Sequence, residues 1–348
     1  MLNVGCSHDF GVRKMKPKIF LSISLLLLSA LSLLSAKPKE PAWLSDYRAV
    51  YPDTAYIAQK ATADKAERAR TEAVAQIARY FKTSVSANLK TSMKSVASGE
   101  TVSEETTVEN DVSLSSDVSL FAVETTEPYY LKKEKKWHCV AFIERAKAWE
   151  QYQPTVEGAK TEFYSMKKNA DEESDPFEKC ALLSKAWESG KVLLEKLEYA
   201  RILDAKKEAA YEDDRKTASG MPGEIAKEKE KCTVYISVSG DYGSNVSSAL
   251  AKTLSRNGLK IAKNESEASY IASAAIEDNA VGSEPVSIYP SLEFKIESKA
   301  GKTVCSSEVK MESKTVSYTL DNARKKAYPI LASELDKAVS EELNKKFK

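Results

Sequence analysis

The chain has 348 residues, enough for two or three domains, and its 42% hydrophobic and 30% charged content is globular and excludes wholesale disorder. Lys and Arg number 52 against 51 Asp and Glu, and a net charge of +1 excludes the concentrated basic footprint of a nucleic-acid binder. Two histidines, His8 and His138, exclude most zinc sites and most His-dependent catalysis.

Arg13, Lys14, Lys16 and Lys18 form a cationic stretch, and an apolar run follows from Ile19 to Leu34, broken only by serines and one alanine. Leu34-Ser35-Ala36 then precedes an abrupt Lys-Pro-Lys-Glu-Pro. This is the pattern of a secretory signal over residues 1–36, with cleavage after Ala36 and Met15 as an alternative start. The run is shorter than the ~20 apolar residues of a comfortable span, although retention as an anchor is the other reading. No cysteine sits just after the run, so a lipid-bearing N-terminal cysteine is not expected. The expected location is the periplasm or the periplasmic face of the outer membrane.

Cys139, Cys180, Cys232 and Cys305 are widely spaced, with no Cys-x-x-Cys, which argues against a metal cluster or redox motif. Export permits disulfides, and Cys232 and Cys305 share one expected domain and could pair; four separate buried thiols are the equal alternative.

Residues 37–60 form a proline-interrupted lead-in rich in aromatics, including Trp43, Tyr47, Tyr51 and Tyr56. The spacing of Ala66, Ala69, Ala73, Ile77, Tyr80 and Phe81 predicts a helix from about Ala61 to Lys82. Residues 83–105 read as a weak element and loop. Val112, Leu114, Val118, Leu120 and Ala122 alternate with polar residues and predict a strand; Trp137–Ile143 is another, after a lysine-rich turn at 132–136. Residues 37–150 therefore form one small α+β unit.

Residues 151–213 are expected to be helical, part of an antiparallel pair spanning 144–169 and 175–213, with Ser174-Asp175-Pro176 as a helix start. Ser-Gly-Met-Pro-Gly and alternating charges make 214–231 a linker. Residues 232–348 read as β-α-β-β-β-β-α. Asn257-Gly258 stops the first helix, Lys299–Lys302 makes a hairpin, and Pro329 bends or restarts the last helix. The fold class is α+β, two small helix-on-sheet domains joined by a helical hairpin.

Pro41-Ala-Trp43, Tyr56-Ile57-Ala58, Ile77-Ala78-Arg79-Tyr80-Phe81 and Trp137-His-Cys-Val140-Ala141-Phe-Ile143-Glu-Arg145 give residues 41–150 a resemblance to the LPP-twenty outer-membrane lipoprotein family and the FlgT N-terminal domain. Val234–Ser239, the following helix, Ala268-Ser-Tyr270-Ile271 and the terminal helix resemble a TolB N-terminal or CsgG-like domain. The sequence departs from the first family in lacking its lipid cysteine and in carrying Gln59-Lys60 where a glycine is usual. The resemblance implies envelope or flagellar protein partners and no catalytic residues.

Four constellations carry potential chemistry. Ser239–Ser244 joins a strand to a helix, where free amides could hold an anion, but no Gly-Lys-Ser/Thr follows, and a turn with Ser244 or Asn245 as cap is the expected reading. His138 and Cys139 are adjacent on a strand, point to opposite faces and cannot cooperate. The acidic clusters at 172–178 and 212–214 lack a calcium loop and read as solvated helix ends. Trp43, Tyr47, Tyr51 and Tyr56 could dock a protein partner or peptidoglycan; packing in the first domain is the favoured alternative.

No catalytic, cofactor-binding or metal residue is expected. The expected function is an exported scaffold or assembly factor acting by protein binding, associated with flagella or the outer membrane. The alternative is a periplasmic small-molecule or glycan-binding module with its ligand between the two α+β units.

Overall fold

The computed structural model describes residues 40–97 and 122–347, so the signal, the Ala36 cleavage point and nearly all of the expected strand at 112–122 lie outside the described residues. The chain divides into two units, Met1–Tyr51 and Pro52–Lys348, a boundary inside the expected 37–150 domain. The described part of the first unit is two single-turn helices, α1 (Ala42–Ser45) and α2 (Tyr47–Val50). Asp46 caps α2, its Oδ1 accepting from the Arg48 and Ala49 amides at 3.0 and 3.3 Å.

The second unit opens with β1 (Tyr56–Ala63), α3 (Ala66–Ala97), β2 (Glu124–Thr125), β3 (Tyr129–Leu131) and β4 (Lys136–Glu144). Every residue of β1 pairs antiparallel with β4, from Tyr56 opposite Glu144 to Ala63 opposite Trp137. The helix expected from Ala61 therefore begins only at Ala66: alanine-rich sequence favours helix locally, but the ladder to β4 outweighs propensity. The stripe Ala69, Ala73, Ile77 and Phe81 is buried as expected and continues through Val85 and Leu89, so the described part of 83–105, expected as a weak element and loop, is helix to Ala97. Serines in that stretch lower helix propensity by only ~0.5 kcal/mol each, which the buried stripe outweighs. Tyr80 falls off the stripe and is exposed.

Next come α4 (Arg145–Glu172) and α5 (Pro176–Leu203), joined by a short turn. Pro176 occupies the first turn, and Asp175 Oδ1 accepts from the Phe177 and Glu178 amides, both at 3.0 Å. Gly190 is where α5 meets Phe163 of α4; a Cβ there would lie 3.2 Å from the ring. The expected linker is corrected by the structure: after a short α6 (Ala205–Glu208) and a 3-10 turn, Glu212–Lys231 is a continuous helix, α7. Ala218 and Met221 are fully buried. The alternating charges are i,i+3 and i,i+4 pairs such as Lys216–Glu212 and Lys231–Glu228 on a helical surface. Contacts back to α4 lace it in place: Lys160 to Asp214 at 2.7 Å, Tyr164 hydroxyl to Asp214 at 2.8 Å and Tyr211 hydroxyl to Glu157 at 2.5 Å. Burial of this face overrides the glycines and Pro222 that suggested a linker.

The C-terminal layer holds β5 (Thr233–Ser239), α8 (Asn245–Arg256), β6 (Lys260–Ile261), β7 (Tyr270–Glu277), β8 (Val286–Ile288), β9 (Ser291–Ser298), β10 (Thr303–Lys310), β11 (Thr315–Ser317) and α9 (Leu320–Phe347). The main sheet runs β10-β9-β7-β5-β6, parallel between β5 and its two neighbours and antiparallel elsewhere. Leu250 and Leu254 of α8 and Leu331, Leu335, Val339 and Leu343 of α9 close its core over Val234, Ala272, Phe294 and Ile296. Gly258 and Gly301 take φ of +82° and +79°, supplying the expected helix stop and hairpin. The pattern over Ile288–Ser298 is that of one strand, but it splits at Tyr289-Pro290, because proline cannot donate to the ladder. β8 leaves the sheet and pairs with β11 as a separate ribbon. Pro329 does not restart the last helix: Leu320–Phe347 is continuous, with Ala327 and Tyr328 before it and Leu331 after it all buried. The architecture is α+β, as the sequence implied.

Candidate functional site

The β8–β11 ribbon presents the most exposed apolar face among the described residues. Ser287 pairs with Val316, and Val281 bridges Ser287 from the other side. Side chains alternate along a strand, so Ser287 and Val316 share the outer face with the bridging Val281, while Val286 and Ile288 point inward; Tyr289 and Tyr318 directly follow the two strands. Exposure follows that division: Tyr318 is 82% and Val281 63% exposed, whereas Ile288 is buried. The inner face packs on Ala323, Ala327 and Tyr328 of α9.

A polar knot fixes the ribbon. Arg324 of α9 pairs with Asp278 Oδ2 at 2.5 Å, and Tyr328 hydroxyl lies 3.0 Å from Asp278 Oδ1 and 3.1 Å from the Gly240 carbonyl oxygen. Burial, then the hydrogen bond to the Asp278 carboxylate, pushes the Tyr328 phenol up to about 12. The Tyr289 amide donates to the Asp278 carbonyl at 2.9 Å, and Asn279 Nδ2 donates to the Tyr289 carbonyl and Ser291 Oγ, both at 3.0 Å. Gly240 has φ +78°, and a Cβ there would come 2.9 Å from the Ile276 carbonyl oxygen. The ribbon is thus a braced platform carrying exposed rings. Sequence reading missed it because Thr315-Val316-Ser317-Tyr318 alternates over only four residues, and its partner strand lies across an irregular segment.

A groove of about 370 Å³ lies between β1 and α3 and is lined by Gln59, Gln76, Arg79, Tyr80, Thr83 and Ser84. Its lining residue types are polar apart from Tyr80, and it sits on the first helix-on-sheet layer, unlike the cleft between two α+β units expected for a ligand module.

The earlier candidates are dispersed. Trp43 is 8% exposed and offers little ring to solvent. Tyr47 is half-buried, with the Arg48 guanidinium 5.8 Å over its ring; Tyr51 is half-buried; Tyr56 packs edge-on to Phe142 at 6.0 Å. The Ser239–Ser244 turn holds a helix start whose amides are taken, though not by the expected residues. Ser244 makes no side-chain cap; Asp241 accepts from the Val246 and Ser247 amides at 3.2 and 2.9 Å. In the acidic clusters, Glu173 accepts from its own turn, Glu178 pairs with Lys302 at 3.4 Å, and Asp214 joins the α4–α7 contact.

The expected Cys232–Cys305 pairing is corrected by topology. Cys232 immediately precedes β5 and Cys305 lies on β10, three strand spacings away. At ~4.8 Å per spacing that is about 14 Å, twice the Cα separation a disulfide spans. Both thiols are free and buried. Burial, then Glu342, raises Cys305 to about 11. Cys232 faces a different thiol, that of Cys180.

His138 and Cys139 do lie on opposite faces of β4. Cys139 Sγ donates to the Thr126 carbonyl at 3.3 Å in the core. His138 is 3% exposed, and neither ring nitrogen has an aligned hydrogen-bond partner. Burial depresses its pKa below the ordinary 6.5, outweighing Glu134, whose Oε2 is 3.1 Å from Nε2; Lys60 and Lys136 push the same way as burial. The sign follows from linkage: below pH 6.5 the unfolded chain takes up a proton that the folded chain resists. Stability is expected to be full above pH 6.5 and to fall as pH drops through it. Thermal melts from pH 7.5 to 5 should show this limb flattened in His138→Gln; an unchanged slope would assign it to other groups.

The chain matches no family model and no curated protein. Among solved structures it is similar to a secreted protein of Helicobacter pylori, at 12% identity over 80% of this chain and 97% of that one, with a TM-score of 0.31. It is also similar to a minor lipoprotein of Acinetobacter baumannii, at 11% identity over 32% and 90% with a TM-score of 0.24, and to a PelC dodecamer variant from Paraburkholderia phytofirmans, at 16% identity over 32% and 86% with a TM-score of 0.23.

Proposed function

We propose that this is an exported cell-envelope protein, a scaffold or assembly factor that acts by binding other proteins through the β8–β11 ribbon. The observation that carries the binding role is the braced outer face with Tyr318 82% and Val281 63% exposed; rigid exposed aromatics contribute contact area at low entropic cost. The cationic stretch, apolar run and Leu-Ser-Ala of residues 13–36 support export. The resemblance to LPP-twenty and FlgT domains points to outer-membrane or flagellar proteins as the partners to seek first.

The test uses the full chain in the producing cell. A photo-crosslinking residue at Tyr318 should capture an envelope protein, one at exposed Lys206 should not, and Val316→Lys should reduce the Tyr318 adduct at least tenfold. The mature N-terminus should be Lys37. A chain left in the cytoplasm, or Tyr318 adducts no stronger than those at Lys206, would sink the proposal.

The groove beside β1 supports a second reading, a module for a small molecule or glycan, with Gln59, Gln76 and Arg79 as donors and Tyr80 as a ring face. Binding of a glycan that is lost in Arg79→Ala and indifferent to Val316→Lys would favour it.

A further inference from the structure

Cys180, one turn into α5, and Cys232, at the α7–β5 junction, are both fully buried in the C-terminal core. Cys180 is the leading influence on the Cys232 thiol, so the two side chains face each other, and Cys232 Sγ also points to the Glu228 carbonyl at 3.8 Å. The helix start that carries Cys180 is held in place independently. Tyr270 hydroxyl donates to Asp175 Oδ1 at 2.9 Å and accepts from the Phe177 amide at 3.1 Å, and the Phe177 and Tyr270 rings lie 5.7 Å apart. The two sulfurs therefore meet on a defined scaffold, not on mobile segments.

We propose that Cys180 and Cys232 form a disulfide that staples the start of α5 to the head of β5 when the chain meets a disulfide oxidant. In the oxidation a thiolate of the pair attacks the oxidant's S–S bond, giving a mixed disulfide and one released thiol. The second cysteine thiolate displaces the second thiol. The protein loses two protons and two electrons, and one oxidant disulfide becomes two thiols. The setting for this in the cell rests on the export reading, since disulfides persist in oxidising compartments.

The pairing also has a timing. Cys180 beside it, then burial, hold the Cys232 thiol far above its ordinary range, and a protonated, enclosed thiol is a poor nucleophile. The bond forms while the chain folds, before the core closes, and folded reduced protein oxidises slowly. Cys305 and Cys139 stay reduced, each buried with no thiol beside it among the described residues.

The experiment is refolding of the denatured, reduced full chain with oxidised glutathione, followed by denaturation, alkylation, thiol counting and peptide mapping. The five cysteines should yield three alkylated residues and one peptide linking Cys180 to Cys232. Cys180→Ser and Cys232→Ser should each leave no protein disulfide, and oxidation should raise the unfolding midpoint of the wild type by roughly 5–10 °C. Five alkylated cysteines, or a peptide linking Cys232 to Cys305, would overturn the pairing. Because the thiols are counted after denaturation, a variant that folds poorly still reports. A second arm blocks thiols at lysis of producing cells. Linkage in vitro with both thiols free in cells would keep the pair and remove the export reading, whereas free thiols in vitro would remove the pair whatever the location.

Discussion

Replacing Arg215 with methionine should destabilise the protein by about 3–5 kcal/mol, because it leaves buried charge without a counterion. Arg215 lies on α7, and its guanidinium pairs with Glu198 of α5 through one nitrogen and with Glu208 of α6 through the other, the latter at 2.5 Å. Glu198 is fully buried and Glu208 nearly so, and Glu198 Oε2 has no hydrogen-bond partner of its own. Removing the cation strands two carboxylates that share one pocket. A triple variant with Glu198→Gln and Glu208→Gln added should recover much of the loss, since neutral amides are cheaper to bury than anions. The exposed pair Arg68–Asp64 is the control, and Arg68→Met should cost less than about 1 kcal/mol. Urea unfolding measures all three. An Arg215→Met effect no larger than the control would mean that residues 212–231 are the loose connection their composition suggested.

Phe177→Ala should cost about 3–5 kcal/mol, and Phe177→Leu about 1–2 kcal/mol, read from the same transitions. The reason is position as much as size. Most of α5 belongs to the core shared with α3, α4 and α7, through Leu183, Ala186, Leu193 and Leu197. Its first turn belongs to the other core: Phe177 is fully buried against Tyr270 and against Phe347 at 4.9 Å. Glu178 beside it pairs with Lys302 and Lys346 at 3.4 and 3.6 Å. One helix thus enters both cores and makes a fixed joint between the sheet layers. In Phe177→Ala the single cooperative transition should begin to separate into two, visible as non-coincident fluorescence and circular-dichroism curves. A loss under about 1 kcal/mol with coincident curves would show that the first turn of α5 merely rests on the sheet.

The sequence by itself determined whatever depends on local chemistry or strict period. The β4 strand, the Asp175-Pro176 helix start, the Gly258 stop, the Gly301 hairpin and the small-residue stripe of α3 all follow from side-chain alternation, capping or a φ that only glycine adopts freely. The α+β class follows from those elements.

Only the tertiary structure decided the rest, because there burial outweighed local preference. Tyr56–Ala63 is a strand since β4 supplies a full ladder, and α7 is a helix since Met221 and Arg215 find buried partners on α5 and α6. The candidate site belongs to the same class. Val316 and Tyr318 become a surface only when β11 pairs with β8 and α9 covers the ribbon's inner face. Cys180 and Cys232 become neighbours only when α5 threads into the C-terminal core, whereas Cys232 and Cys305, which share a domain, are held apart by two intervening strands. Those pairings join residues tens of positions apart, and proximity of that kind is written in packing, which no local window of sequence contains.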